Sequence, residues 1–434
     1  MKIDMNSALV REMKYSSRKA LTHDILKINR QKPYIGYGKG ADRPMALYHE
    51  LLHYVHRMDD CRQEVLADEG AFAELARLLI AREVKRVYIL SGKQTRKLKL
   101  YDAFVETLTL AGVRCFIYSE VDKFPDARTV ERCAAQCQTY NCEVVVAFGG
   151  GTVIDIAKMV SVWVTNPNKS LYQLRGINKI PNPGVDLYAV ATTGSGAESS
   201  ACSIIQYDQQ LCFFFSEHLV PKTVVLDPNL VLRLPTDSFL SASMIALTHA
   251  IEAYTSSFSP EFPADRANVM VAVPIFFSYL EKCYKHSVTN DKYLQMMMAP
   301  YYAGVASRRI GFGPAHCLAM RISEKYGIPL GRACAAVLPP FLELEFDNIV
   351  KPLAELARAS HLCSAKATEP EAARAFIDGL RSLMRRVNIP ETITCLKAED
   401  YNGIIEMVLL DAKNWGVPVK LTSRMLLTIL RSLK

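Results

Sequence analysis

Three consecutive glycines, Gly149, Gly150 and Gly151, lie where an apolar run meets a helical pattern. The run before them, Glu143–Phe148, is rich in Val and predicts a buried parallel strand. From Thr152 onward the apolar residues recur at helical spacing, so the glycines precede a helix N-terminus. The N–H groups and positive dipole end at such a junction suit a pyrophosphate, which a glycine backbone can approach closely. An ordinary turn that binds nothing is the alternative interpretation.

Two charged residues, Asp155 and Lys158, follow the glycines at i, i+3 spacing on the predicted helix. Residues three apart lie on neighbouring parts of a helix surface. Both side chains could therefore reach a bound nucleotide or the loop beside it, and we include them among the candidate nucleotide-binding residues.

A second pattern with possible chemistry is His49–His53, which reads HELLH and matches HExxH. On a helix its two histidines can bind zinc while the glutamate activates a water. Residues 45–55 do have helical apolar spacing, but a zinc peptidase needs a third ligand and a domain of its own. We interpret this stretch as an amphipathic helix and keep the zinc peptidase as an alternative.

The elements that would position these residues alternate between helix and strand from Gly70 to Thr192. The predicted strands are Arg86–Leu90, Arg114–Tyr118, Glu143–Phe148 and Leu187–Thr192, and the predicted helices lie at 71–82, 100–111 and 127–140. This alternation predicts a Rossmann-like parallel sheet with helices on both faces. After Asp227-Pro228 strand signals fade, and Ser238–Lys434 is predicted to be all helical.

Length and composition bound the class of protein. The chain has 434 residues, half of them hydrophobic, so two globular domains are expected. The net charge of +8 is spread along the chain and suits anionic cofactors and substrates, and no nucleic-acid-binding motif is present. Twelve cysteines without a regular framework, and no signal segment, favour a reducing cytoplasm. No apolar run reaches the ~18 residues of a membrane span.

Several stretches resemble, in order, the signatures of the iron-containing (group III) alcohol dehydrogenase family. Residues 149–158 (GGGTVIDIAK) are similar to its GGGSxxDxAK, and residues 192–198 (TTGSGAE) to its TAGTGSE. Residues 225–228 (VLDP) and 247–254 (LTHAIEAY) resemble its ILDP and LTHAIEAY, and residues 311–339 give a fifth match. The resemblance covers Lys32 to the C-terminus.

The resemblance implies a dehydroquinate synthase-like fold: a dinucleotide-binding domain at 32–228 followed by a helical substrate domain at 229–434. Lys32–Gly40 resembles the family's opening strand, residues 1–31 would be an appended arm, and residues 41–69 an insertion. The implied activity is an NAD(P)H-dependent alcohol dehydrogenase, or aldehyde or ketone reductase, that forms a homodimer or other homo-oligomer. The residues implied to bind the cofactor are Gly92, Lys93, Gly149, Gly150, Gly151, Thr152, Asp155, Lys158, Thr192, Thr193 and Ser195.

The residue at position 92 bears on the choice of cofactor. Family members that prefer NAD tend to carry an aspartate here, against the adenosine ribose, whereas this chain has Gly92 followed by Lys93, Arg96 and Lys97. Absence of the acid beside cations suits a 2′-phosphate, so we expect NADP rather than NAD. A solvated basic turn is the alternative.

The family's metal site is incomplete in this sequence. Family members bind Fe²⁺ or Zn²⁺ with one Asp and three His, and the matching positions here are Ile245, His249, His316 and Leu330. A further family histidine matches Met320. Two imidazoles with two aliphatic neighbours lack the donors and charge that such a cation needs. We therefore expect that no metal is bound.

The remaining candidate catalytic residues are His249, His316 and Arg321, where the family would have a proline at the last position. The histidines are either a leftover buried pair or proton donors, and Arg309 and Arg321 could bind a carboxylate or phosphate on the substrate. We expect a small anionic carbonyl substrate reduced without metal. A catalytically silent nucleotide-binding relative and a dehydroquinate-synthase-like cyclase are the alternatives.

Overall fold

The computed structural model describes residues 58, 61–122, 124–208, 210–256, 259–412 and 421–434. Three sequence predictions lie outside these residues: the arm at 1–31, the opening strand Lys32–Gly40 and the HExxH helix around His49–His53. The rest of the chain forms a parallel sheet followed by a helical part, so the predicted fold class is confirmed.

The larger sheet has six parallel strands in the spatial order β1-β9-β6-β4-β2-β3. Its strands are β1 (Glu64–Ala67), β2 (Arg86–Gly92), β3 (Arg114–Val121), β4 (Val144–Gly149), β6 (Asp186–Ala191) and β9 (Thr223–Leu226). Strand β4 lies inside, where Val144 pairs with Val87 on one side and with Asp186 on the other. All six residues of β4 are buried, as its unbroken apolar sequence predicts for a strand covered on both faces.

Helices cover both faces of this sheet. The N-terminal helices are α1 (Ala71–Ala81), α2 (Lys93–Lys97), α3 (Asp102–Leu110), α4 (Ala127–Thr139), α5 (Gly151–Val164) and α6 (Leu171–Leu174). Val146 and Phe148 face a cluster that contains Leu75 of α1 and Leu108 of α3. The alternate residue Val145 belongs to the core on the other face, because successive strand side chains point in opposite directions.

A second sheet of three strands, β5 (Gly176–Ile177), β7 (Cys202–Tyr207) and β8 (Gln210–Phe215), was not predicted. Strands β7 and β8 form an antiparallel hairpin in which Cys202 pairs with Phe215. The turn begins at Asp208, whose φ of 45° is one that Asp tolerates better than most residues. Two short apolar runs either side of a polar turn were the signal available in the sequence.

Strand β1 corrects the predicted insertion at 41–69. Glu64 pairs with Thr223 and Ala67 with Leu226, so residues 64–67 form an edge strand of the main sheet rather than an inserted segment. The four-residue sequence EVLA is too short to show a strand period, and only its pairing with β9 reveals its role.

Among the described residues, no strand follows β9. The helices of this half are α7 (Pro228–Val231), α8 (Thr236–Thr255), α9 (Pro263–Tyr284), α10 (Asn290–Ile310), α11 (Pro314–Tyr326), α12 (Leu330–Leu344), α13 (Phe346–Ala359), α14 (Glu369–Arg386), α15 (Tyr401–Ala412) and α16 (Ser423–Ser432). A division near residue 228 remains our proposed domain boundary. In the described part of the chain, no helix is long and apolar enough to cross a membrane.

One hydrophobic core runs through both halves, from β4 and α5 to the helices of the C-terminal half. Polar contacts also join them: the Ser199 hydroxyl donates to the Tyr301 carbonyl at 2.7 Å, and Arg308 Nε donates to the Ser199 carbonyl at 2.6 Å. All twelve cysteines are unpaired, and eight of them are buried across this core: Cys133, Cys137, Cys142, Cys202, Cys212, Cys283, Cys317 and Cys334.

Candidate active site

The three glycines lie at the carboxyl end of β4, where the order of the sheet reverses. The chain runs from β2 outward to β3 and then returns past β2 to β4. Ligands of open α/β sheets bind in the crevice at such a reversal. Helix α5 begins at Gly151, with Gly150 as its N-cap, so the predicted junction of strand, glycines and helix N-terminus is present.

A second loop, residues 192–198, packs directly on the glycines. The Thr192 N–H donates to the Gly149 carbonyl at 3.1 Å. A Cβ on Gly150 would lie 2.6 Å from Thr193 Oγ1, and one on Gly151 would lie 2.9 Å from Ser195 Oγ. A side chain at either position would therefore require the Thr193 or Ser195 hydroxyl to move.

A cavity of about 500 Å³ opens between the two halves of the molecule. Four predicted cofactor residues and both candidate histidines line it: Gly151, Thr152, Asp155, Ser195, His249 and His316. Further lining side chains that sequence analysis did not select include Phe124, Gln206, Asp237, Phe312 and Glu324. No motif marks these five residues, because they come from separate elements that meet only after folding.

The two histidines come from neighbouring helices, His249 from α8 and His316 from α11. The Nε2 atom of His249 lies 3.0 Å from Nδ1 of His316. One turn after His249, the Glu252 carboxylate accepts from the N–H groups of Ala315 at 2.6 Å, Gly313 at 3.2 Å and His316 at 3.3 Å. Glu252 therefore caps the N-terminus of α11 and fixes His316 beside His249.

Both imidazoles are neutral. Burial lowers the pKa of His249 well below its ordinary value, helped by the neighbouring His316, and burial lowers the pKa of His316 to about 3. Cys334 Sγ lies 3.6 Å from the same Nδ1 of His316. Nδ1 can accept from His249 or from the thiol when His316 carries its proton on Nε2, and we use this tautomer below. A neutral imidazole still has an N–H to donate, so the expected role of the histidines as proton donors stays a prediction.

The other three positions of the family's metal region supply no charged or nitrogen donor. Ile245, Met320 and Leu330 all line the same cavity as the histidines. Within the described residues, no group of three or more His, Cys, Asp or Glu side chains could hold a metal ion. This donor set does not fit a resident iron or zinc ion.

Lys158 is placed differently from its prediction as a cofactor ligand. It is fully buried, and its Nζ donates to the carbonyls of Ser200 and Cys202, each at 2.8 Å, and to Ser200 Oγ at 3.0 Å. Burial lowers its pKa to about 8, while burial raises that of the nearby Asp155 to about 7. Lys158 therefore holds the loop that borders the cavity, and only Asp155 of this pair lines the cavity.

Arg321 is also not where the prediction requires it. Its Nε and one terminal nitrogen donate to both Asp411 oxygens at 2.6 and 2.7 Å, and its other terminal nitrogen donates to Glu324 at 2.7 Å. Arg309 is paired with Asp265 at 2.9 Å. Among the described residues that line the cavity, none is Lys or Arg. The prediction that these arginines bind an anionic substrate stays a prediction; in the structure both are paired with carboxylates and neither lines the cavity.

Gly92 and Lys93 lie at the end of β2, next to β4. A Cβ on Gly92 would meet Val153 Cγ2 at 3.8 Å and the Val121 carbonyl at 4.0 Å, so the position has room for a side chain. The Lys93 ammonium pairs with Asp122 at 2.7 Å and with Glu120 at 3.9 Å. The basic turn is therefore partly balanced by two acids from the end of β3.

Comparison with known proteins gives a consistent result. Residues 63–228 match the family model described as iron-containing alcohol dehydrogenase, and residues 239–433 match the model of that family's C-terminal part. Alcohol dehydrogenase 4 of Saccharomyces cerevisiae is 27% identical over 368 residues, which cover 84% of this chain and 94% of the yeast protein. The 1-propanol dehydrogenase PduQ of Salmonella typhimurium is 30% identical over 288 residues, 65% of this chain and 74% of that protein.

Among solved structures, a 1,3-propanediol oxidoreductase superposes with a TM-score of 0.81. It is 24% identical in sequence, and the match covers 86% of this chain and 98% of the other. This likeness establishes that the two proteins share a fold.

Proposed function

The chain belongs to the iron-containing alcohol dehydrogenase family, and from this premise we propose that it is an NAD(P)H-dependent alcohol dehydrogenase that works without a resident metal. Members of this family use NAD(P) and oxidise CH–OH groups or reduce the corresponding carbonyls. The observation that carries the proposal is one cavity with the glycine loop on one wall and the histidine pair on the other.

The residues of the first wall fit a dinucleotide. The glycine backbone at the start of α5 and the hydroxyl of Ser195 would hold its phosphates, since the helix N-terminus offers N–H donors and a positive dipole end. When bound, the nicotinamide would supply or accept the hydride. Asp155 lines the same wall.

The second wall would handle the substrate oxygen. In reduction the carbonyl carbon gains a hydride, its π electrons move to oxygen, and the oxygen takes the Nε2 proton of His316. His249 passes its Nε2 proton to Nδ1 of His316 across 3.0 Å and regains one at Nδ1 from water. Both imidazoles remain neutral throughout, which agrees with the low pKa that burial gives each of them.

For the cofactor we propose NADP in preference to NAD. Three cations, Lys93, Arg96 and Lys97, follow Gly92, while two acids, Glu120 and Asp122, lie across from them. The space beside Gly92 and the absence of a carboxylate at that position favour a 2′-phosphate. We also propose a homo-oligomer in a reducing cytoplasm; the twelve unpaired cysteines support the compartment, and sedimentation would test the assembly.

Steady-state kinetics with NADPH and short-chain aldehydes test the proposal. Wild-type protein should turn over, and prolonged chelation should leave the rate unchanged. His316→Ala should lower kcat by about a hundredfold or more, the usual contribution of a positioned proton donor. His361→Asn is a matched control, because His361 is exposed and its φ of 55° is tolerated by Asn. NADPH binding without turnover of any aldehyde would instead identify a catalytically silent relative.

A further inference from the structure

Helix α11 carries more than His316 into the cavity. Met320, Ser323 and Glu324 also line it, and the chain continues along its wall through Gly327. Glu324 lies eight residues beyond His316, which at 1.5 Å per residue is about 12 Å along the helix. The cavity therefore has a histidine end and a Glu324 end, joined by a side of the same helix.

The charge at the Glu324 end is not balanced. Arg321 is bound by both oxygens of Asp411 and by one oxygen of Glu324. This group holds one positive and two negative formal charges, so one negative charge is left over. Asp411 and Arg321 are buried, at 5% and 4% side-chain exposure, whereas Glu324 is 23% exposed. The excess charge is therefore presented to the cavity by Glu324.

Among the described residues, the side chains that contact Glu324 add no cation beyond Arg321. The Gln206 amide of β7 donates to Glu324 Oε1 at 3.2 Å, which orients the carboxylate without neutralising it. The C-terminal end of α11 at Tyr326, where the helix dipole is negative, lies next to it in the chain. Of the described residues along the cavity wall, none is Lys or Arg.

The wall between the two ends is mostly apolar. Residues from two strands, three helices and two connecting segments contribute to it: Ile204, Leu211, Ile245, Phe312, Met320, Ile328 and Leu330. An alkyl chain would contact such a wall without leaving buried polar groups unsatisfied.

We propose that Glu324 binds the positively charged end of an alcohol or aldehyde substrate whose reacting carbon lies at His316, several methylene groups away. This assignment rests on the proposed dehydrogenase function. Glu324 is then the specificity-determining residue of the site, and it disfavours anionic substrates by like-charge repulsion.

Three primary alcohols with the same hexyl chain test the assignment. One ends in a trimethylammonium group, one in the isosteric tert-butyl group and one in a sulfonate. At low ionic strength kcat/KM for the ammonium alcohol should exceed that for the tert-butyl alcohol at least tenfold, ~1.4 kcal/mol. The sulfonate should be the poorest of the three. Equal values for the ammonium and tert-butyl alcohols would overturn the assignment.

Glu324→Gln keeps the size of the side chain and removes its charge. The ammonium-to-tert-butyl ratio should fall about tenfold in this variant, and raised salt should lower it in wild type. Glu399→Gln is the control, because it removes a surface carboxylate of the same half that is 77% exposed. A ratio that falls equally in both variants would contradict a specific role for Glu324.

A binding measurement separates this inference from the proposed function. Calorimetric titration with hexyltrimethylammonium and with hexanesulfonate requires no turnover. If the protein oxidises no alcohol but binds the ammonium ion at least tenfold more tightly, the subsite stands and the dehydrogenase function fails. If it oxidises the tert-butyl alcohol but shows no preference for the cation in either assay, the function stands and the subsite fails.

Discussion

In the proposed function, the side chains at positions 245 and 330 determine whether a metal ion or the histidines contact the substrate oxygen. Ile245 lies one helical turn before His249 on α8, and Leu330 opens α12 on the same cavity. Neither can donate an electron pair, and an aliphatic group beside a cation would leave its charge uncompensated. The two histidines lie within hydrogen-bond distance of each other, and in the proposed mechanism they supply the proton in place of an ion.

Restoring the missing ligands tests this interpretation. Purified wild-type protein should contain well under one Fe or Zn per chain by elemental analysis. Ile245→Asp combined with Leu330→His should raise metal affinity, because all four positions line one cavity. Either single change should bind weakly, since an incomplete ligand shell holds little. Stoichiometric metal in the wild type, lost together with activity on chelation, would refute the metal-free proposal.

A second prediction concerns the glycine loop and its contact with Thr193. In Gly150→Ala the new Cβ would lie 2.6 Å from Thr193 Oγ1, so the Thr193 side chain must rotate or the two loops must separate. We expect the Kd for NADPH to rise at least tenfold, ~1.4 kcal/mol, by fluorescence titration. Adding Thr193→Ala removes the clashing oxygen and should recover binding. If it does not, the Cβ acts on the ligand itself rather than on the neighbouring loop.

A third prediction concerns position 92 and the choice between NADP and NAD. Gly92→Asp has room for its side chain, whose nearest neighbour would be Val153 Cγ2 at 3.8 Å. A carboxylate there should repel a 2′-phosphate and accept from a 2′-OH, shifting the ratio of kcat/KM values from NADPH toward NADH by about tenfold, ~1.4 kcal/mol. A wild-type protein that already prefers NADH tenfold would show that Gly92 does not set the choice.

At the scale of elements, the junction between α8 and α11 does the positioning. Glu252 accepts three N–H groups from the start of α11, and a Cβ on Gly313 would collide with its carboxylate. Glu252, which caps α11, therefore lies three positions after His249, whose imidazole contacts that of His316. Helix α11 cannot shift without breaking these bonds.

Replacing Glu252 by Gln tests the role of this cap. Gln offers one acceptor oxygen where three N–H groups converge, so at least one buried donor loses its partner. We expect a loss of about 1–3 kcal/mol in the free energy of unfolding, measured by urea denaturation. Turnover should fall as well, because His316 loses its fixed position. Glu345→Gln, a change at the C-terminal end of α12, should alter neither quantity.

Much of the α/β half could be predicted from the sequence. Strands β2, β3, β4 and β6 each read as an apolar run bounded by turn residues, and each lies within a few residues of its predicted bounds. An unbroken apolar run indicates a strand that is buried on both faces of a parallel sheet. Such a run can be recognised from residues that are neighbours in the sequence. Strand β1 was missed because four residues are too few to show a strand period. The β7–β8 hairpin was missed because its two apolar runs are short and the turn between them lacks the glycine that often marks a hairpin.

Site residues could be predicted where they belong to one continuous sequence motif. They could not be predicted where folding brings together residues from distant parts of the chain. Gly151 and the two histidines line one cavity, and their roles in binding and catalysis stay predictions. Lys158 and Arg321 matched expected positions too, yet both are buried and engaged by carbonyls or carboxylates from distant parts of the chain. No pattern in a single sequence shows that Arg321 pairs with Asp411, which lies ninety residues later in the chain.

At the scale of the whole molecule, the two halves share one core. Arg308 of α10 donates to the Ser199 carbonyl and to Gln63 beside β1, and the hydrophobic cluster is continuous from the sheet to the helices. Separate unfolding of either half would expose this shared surface. The cavity is part of the same contact, so its ligands should stabilise both halves together.

Calorimetry tests this coupling. We expect a single unfolding transition, and NADPH at a hundred times its Kd should add about 2.7 kcal/mol to the stability of the entire molecule. The shift should disappear in Gly150→Ala at the same NADPH concentration. Two resolved transitions, with only the first moved by NADPH, would show that the halves unfold independently.

The reactivity of the buried thiols can report how often each part of the core opens. Cys202 follows the loop held by Lys158 on the cofactor wall, whereas Cys334 lies behind the histidine pair on the opposite wall. Exposed Cys395 should react with a thiol reagent at once, and each buried thiol only as often as its surroundings open. Peptide mass spectrometry would show whether Cys202 or Cys334 is labelled first. That order would identify which wall of the cavity opens first when a ligand enters.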